Sequence, residues 1–306
     1  MTSKTTTQKA LAAGGIILAT AIWGSSFSII KNALTSITPL WFVSLRFSIS
    51  IIILALICAK RFKHMNKGLL KEGIIIGIPL SLSYIFQNLG LMNTTASNTA
   101  FITSTYVVIV PFIMWLVYRK IRPANFIIAI VTLGGLALLS FNESFHIASG
   151  DIITLGCSLM LAIHMVILGR YSKNHDTFLL TFIQVAMVAV VNTILALIIE
   201  PLPVIANFSS EIVGSLFYCA IFPTIVCYLI QTSAQKILSP ISVSVLLMGE
   251  SIFGAFFGWV LLDEVFSTSQ FIGAAILVIC MVCSVLLDYF PRRSKQQDLS
   301  KDNPPG

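Results

Sequence analysis

The stretch PLSLSYIFQ, Pro79 to Gln87, sets a helix breaker, a phenol and an amide inside a run, Gly73 to Leu91, that carries no charge. On a helix, Tyr84, Gln87 and Asn88 share one face at i, i+3 and i+4. Pro79, five residues before Tyr84, frees a carbonyl one turn back and bends the helix. The arrangement returns 144 residues later as PTIVCYLIQ, where Pro223, Tyr228 and Gln231 keep the spacing and Thr232 stands in for Asn88. Polar groups on one face of an apolar helix either hydrogen-bond a neighbouring helix or line a path for a polar solute. Duplication at matched depth favours the path.

Three ionisable side chains lie well inside apolar stretches, away from their ends: Arg46, His164 and Glu250. Glu250 is about ten residues from either end of its stretch, hence about 15 Å from both faces of a membrane. A charge at that depth costs about 3 kcal/mol and is seldom kept without a partner or a task. Desolvation favours the neutral acid, whereas an ammonium substrate or Arg46 favours the carboxylate. A group balanced in this way takes a proton in one state and releases it in another, making protons a candidate coupling ion. The other use of Glu250 is a protonated acid hydrogen-bonded to the next helix. Arg46 is either an anchor that snorkels outward or an anion-binding or gating residue. His164 is either a packing hydrogen bond or a relay. Trp23 and Tyr106, amphipathic rings near mid-depth, complete the candidate wall of a solute path.

Enzyme chemistry finds little to work with. DxxD, HExxH and GxSxG patterns, a Walker loop and a GxGxxG fingerprint are all missing. The sequence therefore predicts no enzyme, no cofactor, no metal and no nucleotide as a direct energy source. A membrane-embedded enzyme is the alternative outside transport, and solute flux in liposomes separates the two. The six cysteines all fall in apolar stretches, so Cys280-x-x-Cys283 reads as packing rather than a redox pair.

The elements that must position these groups follow from composition. With 57% hydrophobic and 10% charged residues over 306 positions, the chain is a polytopic membrane protein. Windows of about 20 apolar residues, enough to cross about 30 Å of hydrocarbon, fall at 10–34, 39–59, 70–91, 96–118, 123–140, 150–169, 177–199, 211–233, 240–261 and 268–289. The first is expected to be a retained helix after a short leader, 1–9, and 290–306 a disordered tail. In a ten-span arrangement, 17 of the 19 Lys and Arg residues lie on one side. By the positive-inside rule both termini are cytoplasmic, in a plasma membrane such as the bacterial inner membrane. Basic residues dispersed over short segments offer no nucleic-acid site, and the expected partners are the lipid bilayer and a small-molecule substrate.

The third and eighth spans carry the matched Pro-Tyr-Gln element, so the repeat unit is five spans. An odd unit must insert its two copies in opposite directions. The segments AIWGSSFSIIKNAL, TPLWFVSLRF and GLMNTTASNTAFITSTYVVIVP in the first half, with LSPISVSVLLMGES and DEVFSTSQFIGAAIL in the second, resemble the EamA-type drug/metabolite transporters. The resemblance covers about residues 14–288. It implies an all-α integral membrane fold of ten transmembrane helices in two inverted-topology five-helix repeats, 10–141 and 150–289, around a central cavity that opens alternately to each face. Ser251 stands where that family usually has proline, so no bend of the ninth span is implied by it. The function expected is secondary transport of a metabolite or amino acid, with efflux as the lead and uptake or exchange as the alternative.

Overall fold

A computed structural model describes residues 6–93, 96–119, 121–140, 149–204, 208–262 and 267–289. The tail 290–306, the first five leader residues and the segment 141–148 lie outside the described residues. Helices run as α1 Thr6–Ala33, α2 Pro39–Cys58, α3 Lys67–Leu91, α4 Ala96–Ser104, α5 Tyr106–Tyr118, α6 Pro123–Ser140, α7 Ser149–Tyr171, α8 Thr177–Ile199, α9 Ser210–Cys219, α10 Cys227–Ala234, α11 Pro240–Leu247, α12 Gly249–Leu262 and α13 Thr268–Tyr289. Among the described residues there is no strand. Among the described residues nine helical stretches are long and apolar enough to cross a membrane, and one further apolar helix, Pro123–Leu139, is shorter. Large aliphatic side chains such as Leu56, Ile57, Leu197 and Ile198 cover the outside, as expected of a surface that meets hydrocarbon.

Inside the bundle, hydroxyls bond back to their own helix. Thr20 donates to the Ile17 carbonyl at 2.7 Å, Ser81 to Gly77 at 2.8 Å and Thr132 to Ile128 at 2.7 Å. Each closes a polar group that hydrocarbon would leave unsatisfied. Close approach uses small residues: a Cβ on Gly73 or Gly77 of α3 would lie 2.8 Å from Ile183 or 2.7 Å from Met187 of α8.

The packing has a definite pattern. α2 lies along α8, and α6 along α13. α7 packs on α3 and on the α4–α5 pair, while α1 packs on α10 and on α12. The α2–α8 pair is fastened at both ends. At one end Glu200, just past α8, accepts hydrogen bonds from the Thr38 hydroxyl and, at 3.1 Å each, from the Leu40 and Trp41 amides at the start of α2. At the other, Asp176 caps α8 through the Phe178 and Leu179 amides at 2.9 and 3.1 Å, and pairs at 2.7 Å with Arg61 beyond α2. Carboxylates placed on free amides at helix starts are favoured by hydrogen bonding and by the helix dipole. The two helices are therefore antiparallel.

Candidate functional site

The two matched prolines bend their helices differently. α3 runs unbroken through Pro79, whereas Pro223 lies in a π-helical stretch, Ala220–Val226, between α9 and α10. Proline has no N–H to give, so carbonyls a turn back need other donors. They get them from side chains: Thr224 donates to the Cys219 carbonyl at 2.8 Å, and Ser50 of α2 to the Ala220 carbonyl at 2.9 Å. Trp23 of α1 then donates its indole N–H to the Pro223 carbonyl at 2.8 Å. Leu80, which occupies the place of Thr224 behind Pro79, has no hydroxyl to support the same widened turn. A π-helical turn, here held by its own Thr224 and by Ser50 and Trp23 of two neighbouring helices, is a common device for re-aiming side chains at a site.

The side chains so aimed come together. The Tyr84 and Tyr228 hydroxyls share a hydrogen bond of 2.9 Å, joining the two copies of the repeated element directly. Arg46 donates from Nη2 to the Tyr84 oxygen at 3.1 Å. Its guanidinium lies 4.9 Å from the ring centre of Phe47 and 5.5 Å from that of Tyr84, cation–π distances for an electron-rich face. Phe47 meets Tyr84 edge-on at 5.1 Å, and Trp23 meets Tyr228 edge-on at 5.8 Å. Arg46 and Tyr228 are buried and Trp23 and Tyr84 half-buried, so the cluster is closed except where the latter two reach the surface. Phe47, fully buried and touching both tyrosines, was not singled out in the sequence. Nothing in its spacing marks it beyond adjacency to Arg46.

Glu250 sits differently from its sequence expectation. The ninth apolar stretch is not one helix: it stops at Met248 and restarts as α12, with Glu250 in the first turn. Met248 N bonds to the Val245 carbonyl and Ser251 N to the Met248 carbonyl, both at 3.1 Å. These i−3 contacts tighten the chain out of α geometry beside Gly249, a poor helix former. A break without proline is the departure from what Ser251 suggested. The fourth stretch breaks likewise at Thr105, where α5 begins with Tyr106. The offset of 144 that relates the tyrosines also relates Ala96 to Pro240 and Tyr118 to Leu262 at the outer ends of these pairs. It places Tyr106 opposite Glu250, each in the first turn of a half-helix, where the dipole favours negative charge. Glu250 interacts electrostatically with Tyr106, Tyr228 and Cys227, and Arg46 with Tyr228 and Cys227. A carboxyl group and a guanidinium thus both act electrostatically on Tyr228 without forming an ion pair among the described residues.

The remaining candidates divide. Asn88 donates at 2.7 Å to the Tyr84 carbonyl of its own helix, so its amide is engaged at home. Thr232 takes a hydrogen bond from Thr181 of α8 at 3.2 Å. His164 bonds through Nε2 to Gln184 Oε1 at 2.9 Å and is fully buried between α7 and α8, with its Nδ1 left without a partner. Gln87 is half-buried and Gln231 buried, and neither amide hydrogen-bonds to a described residue. Gln87→Leu and Gln231→Leu therefore remove no visible contact. Each is expected to slow transport about 2- to 10-fold, the worth of one neutral hydrogen bond to a solute, at unchanged melting temperature in detergent. Variants that melt early yet transport normally per folded molecule would assign both amides to helix packing.

The profile of the EamA-like transporter family matches residues 10–141 and 148–286. An uncharacterized transporter of Archaeoglobus fulgidus is 31% identical over 273 residues, which cover 88% of this chain and 83% of that protein. The uncharacterized transporter YoaV of Bacillus subtilis is 25% identical over 284 residues, 90% of this chain and 96% of that one. A solved crystal structure superposes with a TM-score of 0.76 at 18% identity, over 93% of this chain and 99% of the other, a likeness of fold.

Proposed function

The chain belongs to the EamA-like transporter family, and on that premise we propose that it exports a small organic solute, a metabolite or amino acid, by alternating access. The observation that carries this reading is the junction of the two halves. Matched tyrosines from α3 and α10 meet at 2.9 Å beside a buried guanidinium, where neither half alone encloses a site. A membrane-embedded enzyme is the rival outside transport. The direct test is an unbiased metabolite comparison between cells lacking and overproducing the protein, followed by flux of the altered solute from liposomes holding the purified chain. Unchanged metabolite pools together with no flux would remove the proposal.

The architecture we infer has ten spans in two inverted repeats, 10–141 and 150–289. The packing supports it. Counting α4–α5, α9–α10 and α11–α12 as single spans, exchange of the halves maps α2–α8 and α6–α13 onto themselves, α3–α7 onto α10–α1, and the α4–α5 contact with α7 onto that of α12 with α1. The two fastenings of the α2–α8 pair lie at opposite ends and swap in the same way. A repeat of five spans related by such an exchange has its axis in the membrane plane. In this arrangement the α2–α8 pair is the fixed element. The breaks at Thr105 and Met248 let the half-helices carrying Tyr106 and Glu250 tilt between facing states, and Glu250 loads and releases a proton as they do.

Orientation follows the basic residues, with both termini in the cytoplasm of a bacterial cell and the carrier in its plasma membrane. A cysteine introduced at Ser209 is expected to react with an impermeant maleimide added to intact cells, and one at Lys67 only after permeabilisation. Labelling at Lys67 in intact cells reverses the assignment.

A further inference from the structure

Arg46 sits at the junction of the halves with its charge uncompensated. It is 6% exposed, its Nε has no hydrogen-bond partner, and no ion pair joins it to a carboxylate among the described residues. Other basic side chains near the ends of the spans are engaged: Lys9 and Arg122 reach the Asp288 and Leu287 carbonyls at 2.6 and 3.1 Å, and Arg61 reaches Asp176. Around Arg46 stand one hydroxyl and two aromatic faces, which hydrate the cation but do not neutralise it. Arginine keeps its proton in proteins, so a buried guanidinium without a counter-charge is a standing penalty unless something else supplies one. The edge left without a partner includes the buried Nε, and a planar fork of N–H groups matches the two oxygens of a carboxylate.

We propose, resting on the transporter reading above, that Arg46 is the anion-binding residue of the transport site and that the solute carries a carboxylate. In the facing state that admits the solute, its oxygens seat on the unpartnered edge of the guanidinium while the rest of the molecule lies against Phe47, Tyr84 and Tyr228. A phosphate ester fits less well. It brings about 1.5 to 2 negative charges, and among the described residues no second Lys or Arg is buried beside Arg46.

The test uses liposomes containing the purified full chain, loaded at pH 8 with a mixture of amino acids, 2-hydroxy acids, the primary amide of each and small phosphate monoesters. Release is read by mass spectrometry, with leakage from protein-free liposomes subtracted. At least one carboxylic acid is expected to leave at least ten times faster than its amide. Arg46→Gln, which keeps an N–H for Tyr84 but no charge, is expected to bring that acid down to the rate of its amide. Its melting temperature in detergent is expected to be equal to or above that of the unaltered chain, because an unpaired buried charge has gone. Full acid flux in Arg46→Gln overturns the assignment. So does faster release of amides or phosphate esters than acids, in which case the carrier reading still stands. A variant that loses flux only in proportion to a lowered melting temperature makes Arg46 a packing anchor, which also overturns it. Release of no solute by the unaltered chain refutes the carrier reading and this one with it.

Discussion

Replacing Glu250 with Gln is expected to abolish concentrative transport while leaving solute exchange across the membrane intact. Gln copies the shape of the neutral acid but cannot carry a proton from one side to the other. The structure supplies the reason to expect a large effect. Glu250 opens a half-helix after the break at Met248 and is half-buried. It makes no hydrogen bond to a described residue, and the titratable groups within electrostatic reach are Tyr106 of α5, Tyr228 and Cys227 of α10. A coupling free energy of about 1–3 kcal/mol corresponds to about 5- to 150-fold in accumulation. The measurement is flux against pH, with and without a pH gradient, in liposomes holding each form. Normal uphill flux in Glu250→Gln with an unchanged pH profile would reduce Glu250 to a structural acid. Loss of cationic substrates alone would make it a counter-ion instead of a proton carrier.

The second large effect is expected from a methyl group. A Cβ on Gly24 of α1 would lie 2.8 Å from Gly254 N, 2.8 Å from Phe253 Cβ and 2.9 Å from the Glu250 carbonyl of α12. Two of these three are backbone atoms, so no rotamer change relieves the contact and α12 must move away. Overpacking of this kind costs about 1–3 kcal/mol. For Gly24→Ala that means a fall in melting temperature on the order of 2–10 °C. Transport should fall further than stability, because the displaced helix carries Glu250 and α1 carries Trp23. Gly14→Ala in the same helix is the control, since nothing lies within 4 Å of its added Cβ. It should melt at or slightly above the original temperature through better helix propensity. Equal melting of both variants would mean that α1 and α12 are not in close contact.

Much of the architecture is legible in the amino-acid order because it answers a local demand. Crossing hydrocarbon needs about 20 apolar residues with every backbone group satisfied within the helix, and that requirement is written span by span. A helix start is local as well where a side chain caps its own helix, as Asp176 does at the start of α8. The shared face of Tyr84 and Gln87, its recurrence in Tyr228 and Gln231, and the isolation of Arg46, His164 and Glu250 in apolar surroundings are also sequence facts.

What the tertiary structure decided is which atoms meet and where the helices stop. Spacing along one helix fixes the direction of a side chain, but its partner depends on how a distant helix is placed and turned. Asn88 shares the face of Tyr84 yet turns back to its own carbonyl, and His164 is taken by Gln184. Tyr84 reaches Tyr228, and Glu200 caps a helix about 160 positions earlier in the chain. The breaks were equally hidden. Pro223 widens into a π turn because Thr224, Ser50 and Trp23 satisfy its carbonyls, whereas Pro79 lies in an unbroken helix. Met248 breaks with no proline at all. Sequence determined which segments enter the membrane and which polar groups they carry, since hydrophobicity and helical period act residue by residue. The fold alone decided that Arg46 would be left without a counter-charge between Phe47 and Tyr84, because compensation of a buried charge depends on every helix packed around it.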